Sequence, residues 1–460
     1  MRVLFLVSVA SEFPVQLELA IYLQQTQKTE VIFLVNFVAH DLSLVCEQCH
    51  ARGISAIFLF KPQPRQNLRY PKLQRRITYS RFFGRVVFAL NLFRKCWTIQ
   101  KSTETLFAKL GADILVVSNN KVNFFHPFIF RAAELQRLPV VFLPFGYETS
   151  ASYRDKLGRT STERSTLIRR LVFRAVFRQW DLPDVEHLPP SELIAHLFYM
   201  ALLGAYPSKP LSPYGGNANI VLAESRFMRD IYKTLCSRHT RIEITGSPNG
   251  DIALRAFRNC GALRSALLSR YSKSSESSVV AISVPQYMPT YWPGPNGIKK
   301  YYDTLHLFFS DLHSVSIDVV FICSIHPRSG IDIVTAAAGY DNIVFVADSV
   351  YELIALCDFY IACESSTIRT AIALGKPTIN YDIYNFCFDT FSSSYGVLGV
   401  TDHLKFREIL QDFCSRGSRF QRASSSASQV SHLFAQSQLN ACADITRILR
   451  LCAKNKVLIV

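Results

Sequence analysis

Two strand-like runs in the second half of this 460-residue chain end in residues suited to handling an anion. Val319–Ile325 runs into His326-Pro327-Arg328, and Phe359–Cys363 runs into Glu364-Ser365-Ser366-Thr367. A proline holds the residue before it out of helical conformation, so His326 is set to point into the crevice beyond its strand. There it can donate a hydrogen bond to an anionic leaving group or protonate it, and Arg328 adds a fixed positive charge. Ile368, Ala371 and Ile372 have helical spacing. That places the hydroxyls of Ser365, Ser366 and Thr367 at a helix start, where free N–H groups and the helix dipole favour an anion. Each part also has a plainer reading. His326 can be a surface residue in a turn, since a second His-Pro pair occurs at His126-Pro127, and one hydroxyl is enough to cap a helix. A run of three is more than a cap needs.

Taken together, and followed by Ala373-Leu374-Gly375-Lys376-Pro377, these strings resemble the HP and SS motifs of bacterial sialyltransferases and related capsule-type glycosyltransferases of the GT-B fold. Similar strings occur in the CDP-glycerol glycerophosphotransferase family. The resemblance covers roughly residues 220–390 and is architectural before that. It implies that His326 contacts the nucleotide phosphate or assists its departure, and that Ser365, Ser366 and Thr367, with Arg328, bind the donor's phosphates. It also implies that the loop Pro285-Gln286-Tyr287 lies near the donor and that Val346-Ala347-Asp348 lies near the base.

Departures from related families narrow the chemistry. UDP-N-acetylglucosamine 2-epimerases resemble this region but carry a Gly pair and then acids on the following helix, and retaining GT-B transferases also carry an acid there. Here that helix reads Ile368-Arg369-Thr370-Ala371. An inverting transferase needs neither acid. It needs one base, from the first half of the chain across the cleft, to deprotonate an acceptor hydroxyl. The sialyltransferase-like families use an acidic pair followed by Gly, a triplet that does not occur in the first half. Glu148, in Pro144-Phe145-Gly146-Tyr147-Glu148, is the substitute, with Glu12 and Asp41 competing from other strand ends. Helix termini, His326 and Arg328 would neutralise phosphate without a metal or other cofactor, and no Asp-x-Asp string calls for one.

The elements that must position these residues alternate strand and helix. Val3–Val9, Val31–Phe37 and Ile54–Phe60 are apolar runs rich in β-formers, with helices around Phe13–Ile21 and Leu42–Ala51 between them. This βαβαβ order predicts a parallel, doubly wound sheet with right-handed crossovers. A basic stretch from Lys61 interrupts it. Strands Ile114–Ser118 and Val140–Pro144 follow, and residues 150–215 read as mainly helical. Pro207–Asn219, rich in Pro, Gly, Ser and Asn, is the expected hinge. After it come strands at Ile220–Ala223, Ile242–Thr245, Val279–Val284, Ile317–Ile325, Ile343–Val346, Phe359–Cys363 and Thr378–Tyr381, then helices and a Ser-rich loop near Ala423–Ser431. The fold class is α/β, two doubly wound Rossmann-like domains facing across a cleft. The expected division is 1–210, an acceptor domain with basic helical insertions, 211–400, a nucleotide-donor domain, and 401–460, C-terminal helices. Ligands in such sheets gather at the carboxyl ends of the strands.

Composition sets the outer limits. With 49% hydrophobic and 19% charged residues the chain is neither disordered, collagenous nor a small disulfide scaffold. No apolar run reaches the roughly 18 residues of a spanning helix. The net charge of +16 is concentrated. Residues 61–100 hold ten Lys or Arg and no acid, and residues 152–180 hold eight against two acids. Arg170, Arg174 and Arg178 would line one helix face, suited either to an anionic membrane surface or acceptor, or to plain solvent. No nucleic-acid-binding motif accompanies the charge. Twelve scattered cysteines fit a reducing compartment. Cys46-Glu47-Gln48-Cys49-His50 matches a haem-attachment string but lies in an expected helix, and it is read as chance. The expectation is a cytoplasmic transferase, peripheral at the inner membrane. It would move a sugar from a nucleotide-sugar donor to a surface-polysaccharide or lipid-linked acceptor. Alternatives are a CDP-activated polyol-phosphate transferase and a non-catalytic assembly partner.

Overall fold

The computed structural model describes residues 1–36, 43–59, 81–119, 125–146, 191–205, 214, 217–288, 291–315, 318–325, 332–346, 348–387, 391–435 and 440–454. Two all-parallel sheets form, as the strand–helix alternation requires. The first has seven strands, β1 (Arg2–Val7), β2 (Glu30–Val35), β3 (Ser55–Phe58), β4 (Ile114–Val117), β5 (Val140–Phe142), β6 (Ile220–Ala223) and β7 (Arg241–Ile244), in the order β3-β2-β1-β4-β5-β6-β7. The second has six, β8 (Ser278–Ser283), β9 (Val319–Ser324), β10 (Ile343–Val346), β11 (Phe359–Ala362), β12 (Thr378–Tyr381) and β13 (Val397–Val400), in the order β10-β9-β8-β11-β12-β13. The chain therefore reverses direction across the first sheet between β1 and β4, and across the second between β8 and β11.

Strand periodicity builds the cores. Leu4 and Leu6 of β1 enter one apolar layer, and Val3, Phe5 and Val7 enter the layer on the opposite face. The second lobe repeats this, with Val280 and Ile282 of β8 on one face and Val279 and Ala281 on the other. The ring of Phe5 stacks on Phe33 of β2 at 5.2 Å. The string Cys46–His50 lies in the helix Ser43–His50, where Cys49 is fully buried and burial pushes its thiol up to about 12.

Three expectations need correction. First, β6 and β7 belong to the first sheet, with Val141 of β5 in register with Ile220 of β6. The change of sheet thus falls between Ile244 and Ser278, not at 210, and most of the expected hinge lies outside the described residues. Second, the C-terminal helices divide between the lobes. His403–Cys414 packs on the second lobe through Phe406, Leu410 and Phe413, while Ala441–Lys454 returns to the first and places Ile445 and Leu449 against Leu19 and Leu23. Third, the Ser-rich stretch 423–431 is part of a helix, Ser418–Phe434. Ala423 and Ala427, four apart, are buried in it, so tertiary packing overrides a run of weak helix formers. The arginine-rich helix on 170–178 lies outside the described residues, and the basic stretch continues into a helix, Arg81–Leu110, that periodicity did not reveal. Among the described residues no helix is long and apolar enough to cross a membrane.

Gly396 is the point where that Ser-rich helix meets the second sheet. Its φ is +77°, and a Cβ there would overlap the carbonyl oxygen of Ala423 and the methyl of Ala427. Gly396→Ala is expected to destabilise the protein by about 2 kcal/mol or more, from left-handed strain plus overlap. A melting temperature equal to that of the wild type would contradict this packing.

Candidate active site

The crevice where the second sheet reverses is built from hydroxyls. Ser283 ends β8, Tyr360 lies on the neighbouring β11, and Ser365 and Thr367 follow it. Ser283 Oγ bonds to Tyr360 Oη, which bonds to Thr367 Oγ1 at 2.5 Å, and Thr367 Oγ1 bonds to Ser365 Oγ at 2.6 Å. Four hydroxyls thus share three links, so one of their four protons is not used within the chain. Burial raises Tyr360 far above the usual phenol range, so it serves as a hydroxyl and not as an anion. The helix that follows, Ile368–Ala373, is a short one, and Thr367 uses its hydroxyl in the chain and not as a cap.

Ser366 faces the other way. A Cβ on Gly146, in the loop after β5, would lie 4.0 Å from Ser366 Oγ, so the two lobes approach here. Tyr214 Oη donates to the Gly146 carbonyl at 3.1 Å. Beside this approach, Arg369 Nη1 donates to Glu224 Oε1 at 2.9 Å, and Arg369 Nε donates to the Ser366 carbonyl at 3.2 Å. Glu224 directly follows β6, and Tyr232 Oη donates to its other oxygen at 3.0 Å. Both charged side chains are mostly buried, at 14% and 16% exposed. Burial opposes the charge on Arg369, but the Glu224 carboxylate beside it more than offsets this, and the guanidinium stays firmly protonated. A cavity opens next to the pair. Its walls are Pro144, Phe145 and Ser225 from strand ends of the first lobe, Met228 from the helix Arg226–Leu235, and Ser366, Arg369 and Leu374 from the second lobe.

The loop expected near the donor is held in place by tyrosines. Tyr301 Oη donates to the Pro285 carbonyl and Tyr384 Oη to the Gln286 carbonyl, each at 2.6 Å. Tyr287 Oη donates to the Trp292 carbonyl at 2.6 Å. Gln286 and Tyr287 remain half-buried, Tyr287 with its ring against the core of the second lobe. Directly before Ser365 in the chain is Glu364, a non-glycine residue at φ +45°. Its amide donates to Asn380 Oδ1 at 2.8 Å, and Asn380 Nδ2 donates back to its carboxyl at 2.5 Å. Burial, helped by nearby Asp382 and opposed by the Asn380 bond, pushes the Glu364 carboxyl up to about 7.

Of the residues expected from sequence, Ser365, Ser366, Thr367, Pro285, Gln286 and Tyr287 come together at one end of the second sheet. His326, Arg328, Ala347 and Glu148 lie outside the described residues. Asp348, next to Ala347, directs its carboxylate to Arg270 at 3.1 Å.

No protein-family model matches the chain, and no curated protein matches it in sequence. Solved structures do. A UDP-GlcNAc 2-epimerase from Neisseria meningitidis bound to UDP-GlcNAc aligns with a TM-score of 0.52 at 11% identity, covering 98% of this chain and 100% of its own. Phytolacca americana UGT2, complexed with UDP-2fluoro-glucose and pterostilbene, aligns with a TM-score of 0.54 at 10% identity over 98% and 99%. The wall teichoic acid polymerase TagF aligns with a TM-score of 0.51 at 12% identity over 99% and 89%. The chain has the GT-B fold. At these identities the likeness speaks to architecture, and the GT-B cleft in this chain is furnished by its own residues.

Three GT-B cleft residues escaped the sequence reading. Glu364 appeared only as the start of a hydroxyl string, Arg369 only as one of four helix residues that include no acid, and Glu224 not at all. The useful signal for Glu224 was a carboxylate placed directly after a buried strand, in Ala223-Glu224-Ser225. Its partner is 145 residues away, beyond any local pattern.

Two outcomes follow from this geometry. Removing one member of a buried ion pair leaves the other uncompensated, so Glu224→Gln or Arg369→Met alone is expected to cost about 3 kcal/mol or more. The double variant is expected to cost less than the two singles combined, and additive losses in urea denaturation would contradict the pairing. For Glu364, the unfolded chain releases its proton near pH 4.5 while the folded chain keeps it to about 7, so the stability contributed here falls as pH rises through that window. Glu364→Gln should therefore gain stability relative to wild type between those pH values; a difference that is constant with pH would refute the shifted carboxyl.

Proposed function

We propose that the protein is an inverting, metal-independent glycosyltransferase. It moves a sugar from a nucleotide-sugar donor to a surface-polysaccharide or lipid-linked acceptor. One observation carries the reading. The Ser365-Ser366 hydroxyls stand at the reversal point of the second sheet, with Ser366 turned toward the first lobe beside the Arg369–Glu224 pair. Hydroxyl protons at that point suit the phosphates of an activated donor, and the facing lobe suits an acceptor.

The acceptor hydroxyl would attack the anomeric carbon as the bond from that carbon to the phosphate oxygen breaks. The departing nucleotide would carry the electron pair away as an anion. Ser365 and Ser366 would hold it by hydrogen bonds, and His326 would donate to it from the end of β9. The helix positions Ile368-Arg369-Thr370-Ala371 carry no acid, and the charge of Arg369 is already matched by Glu224. An inverting displacement needs no acid at that position. A protein held at a membrane face by its basic stretches would meet a lipid-linked or anionic acceptor there. Glu148 is a candidate base from the first lobe. The same hydroxyls would also serve transfer of a polyol phosphate from a CDP-linked donor, the chemistry to which the TagF likeness draws attention.

A panel of UDP-, CMP-, GDP- and CDP-linked donors separates these chemistries by which nucleotide is released. The expected result is release from a nucleotide sugar, with UDP-linked donors tested first. Ser366→Ala and His326→Ala are each expected to lower turnover by roughly 100-fold. Undiminished turnover in both variants would overturn the assignment, and release from CDP-glycerol alone would select polyol-phosphate transfer.

A further inference from the structure

Two helices of the first lobe carry large apolar side chains on their outer side. The helix Arg81–Leu110 exposes Leu90 and Trp97, at 63% and 50%, and the helix Ser191–Leu202 exposes Phe198 and Leu202, at 51% and 60%. Single exposed apolar residues are ordinary on a protein surface, but these four belong to one patch. The Phe198 ring meets Tyr199 at 5.6 Å, and Tyr199 meets Phe93 of the long helix at 5.4 Å. Phe93 is three residues from Leu90 and four from Trp97, within one turn of each. The patch therefore runs unbroken from one helix to the other. The inner sides of both helices already have their core, since Leu92, Cys96, Ile99, Leu197 and Met200 are buried in the first lobe. Packing within the lobe does not call for the outer side to be apolar.

Charge is set into the patch. Leu90, Arg94, Trp97 and Lys101, all exposed, recur at i, i+4, i+7 and i+11, so one stripe alternates apolar side chain and cation. The long helix holds six Lys or Arg and a single acid, Glu104, which pairs with Lys101 at 2.9 Å at the far end of the stripe. Residues 61–100 as a whole hold ten Lys or Arg and no acid. This mixture decides between occupants. The core of a protein interface is depleted of charge, and a second copy of the chain would bring the same cations against these. An anionic bilayer accepts both parts. The aromatic rings and leucines enter the boundary between headgroups and acyl chains, while Arg94 and Lys101 stay at the level of the phosphates.

The patch also stands at a useful height. The long helix leads into β4, and Arg2 at the start of β1 donates to the Leu110 carbonyl, so this helix ends at the amino side of the sheet. Counting back from Leu110 at the helical rise, Trp97 stands about 20 Å and Leu90 about 30 Å along the helix, and a six-residue strand spans about 20 Å. The stripe is therefore level with the carboxyl ends of the strands, where the crevice opens. We propose that the patch from Leu90 and Trp97 to Phe198 and Leu202 is a docking face for an anionic phospholipid bilayer, with Trp97 and Phe198 as its inserted anchors. The inference gives the membrane placement in the reading above a specific surface. It rests on that placement and not on the transfer chemistry. A lipid-linked acceptor lying in the same bilayer would meet the crevice from this side.

The test co-sediments the full chain, without any donor, with vesicles of mixed phosphatidylglycerol and phosphatidylcholine or of phosphatidylcholine alone. Binding to the anionic vesicles is expected, ~10-fold or more weaker to the neutral ones, and reduced by added salt. Trp97→Ser and Phe198→Ser change exposed positions, so each is expected to keep the wild-type melting temperature and to lower vesicle affinity by ~10-fold. The double variant Arg94→Glu, Lys101→Glu is expected to lower it by ~10-fold or more. Wild type that stays in solution with anionic vesicles overturns the proposal, as do variants that all bind like the wild type. A dimer that Trp97→Ser abolishes, with no vesicle binding by the wild type, assigns the face to a second copy and also overturns it. Should either serine variant lower the melting temperature, the charge-reversal variant decides. Because no donor is present, a failure of the transferase reading is seen separately, as the absence of nucleotide release from every donor in the panel, and leaves vesicle binding unchanged.

Discussion

Arg369 and Glu224 meet across the cleft although 145 residues separate them in the chain. Neither charge is tolerable alone at that depth, so each fixes the other. Glu224 sits on the turn out of β6, and Arg369 on the short helix out of β11, so the pair ties a strand end of one sheet to a strand end of the other. The same guanidinium holds the Ser366 carbonyl and thereby the loop that turns the Ser366 hydroxyl toward Gly146. The spacing of the cleft and the presentation of its phosphate-binding candidates thus share one electrostatic anchor.

Each lobe places polar side chains where its sheet reverses. In the second lobe these are hydroxyls in a shared chain, a carboxyl held near neutrality, and a loop clamped by tyrosines. In the first they are two serines, Ser8 and Ser118, the carboxylate of Glu12, His126, and the amides of Gln16, Asn36 and Asn119, all buried.

Most strands were legible because a buried parallel strand needs four or more consecutive apolar residues, as in Val3–Val7 and Phe359–Ala362. β13 was missed because Val397-Leu398-Gly399-Val400 is short and carries a glycine. The helix Pro248–Arg258 was missed although Ser247 caps it, its hydroxyl accepting from the Gly250 amide. Sheet membership was not legible. Composition marks Pro207–Asn219 as a break, but only pairing with β5 reveals that β6 and β7 belong before it. The Ser365-Ser366-Thr367 run was readable because it is contiguous. The ion pair and the Ser8–His126 contact were not, because each joins residues more than a hundred positions apart. Such contacts are products of topology and leave no local periodicity.

A crystal structure of the protein with a bound nucleoside diphosphate or nucleotide sugar tests the central claim most directly. The account predicts the phosphates in the crevice between β8 and β11, within hydrogen-bond distance of Ser365 Oγ or Ser366 Oγ. A nucleotide seated elsewhere, with those hydroxyls untouched, would contradict it.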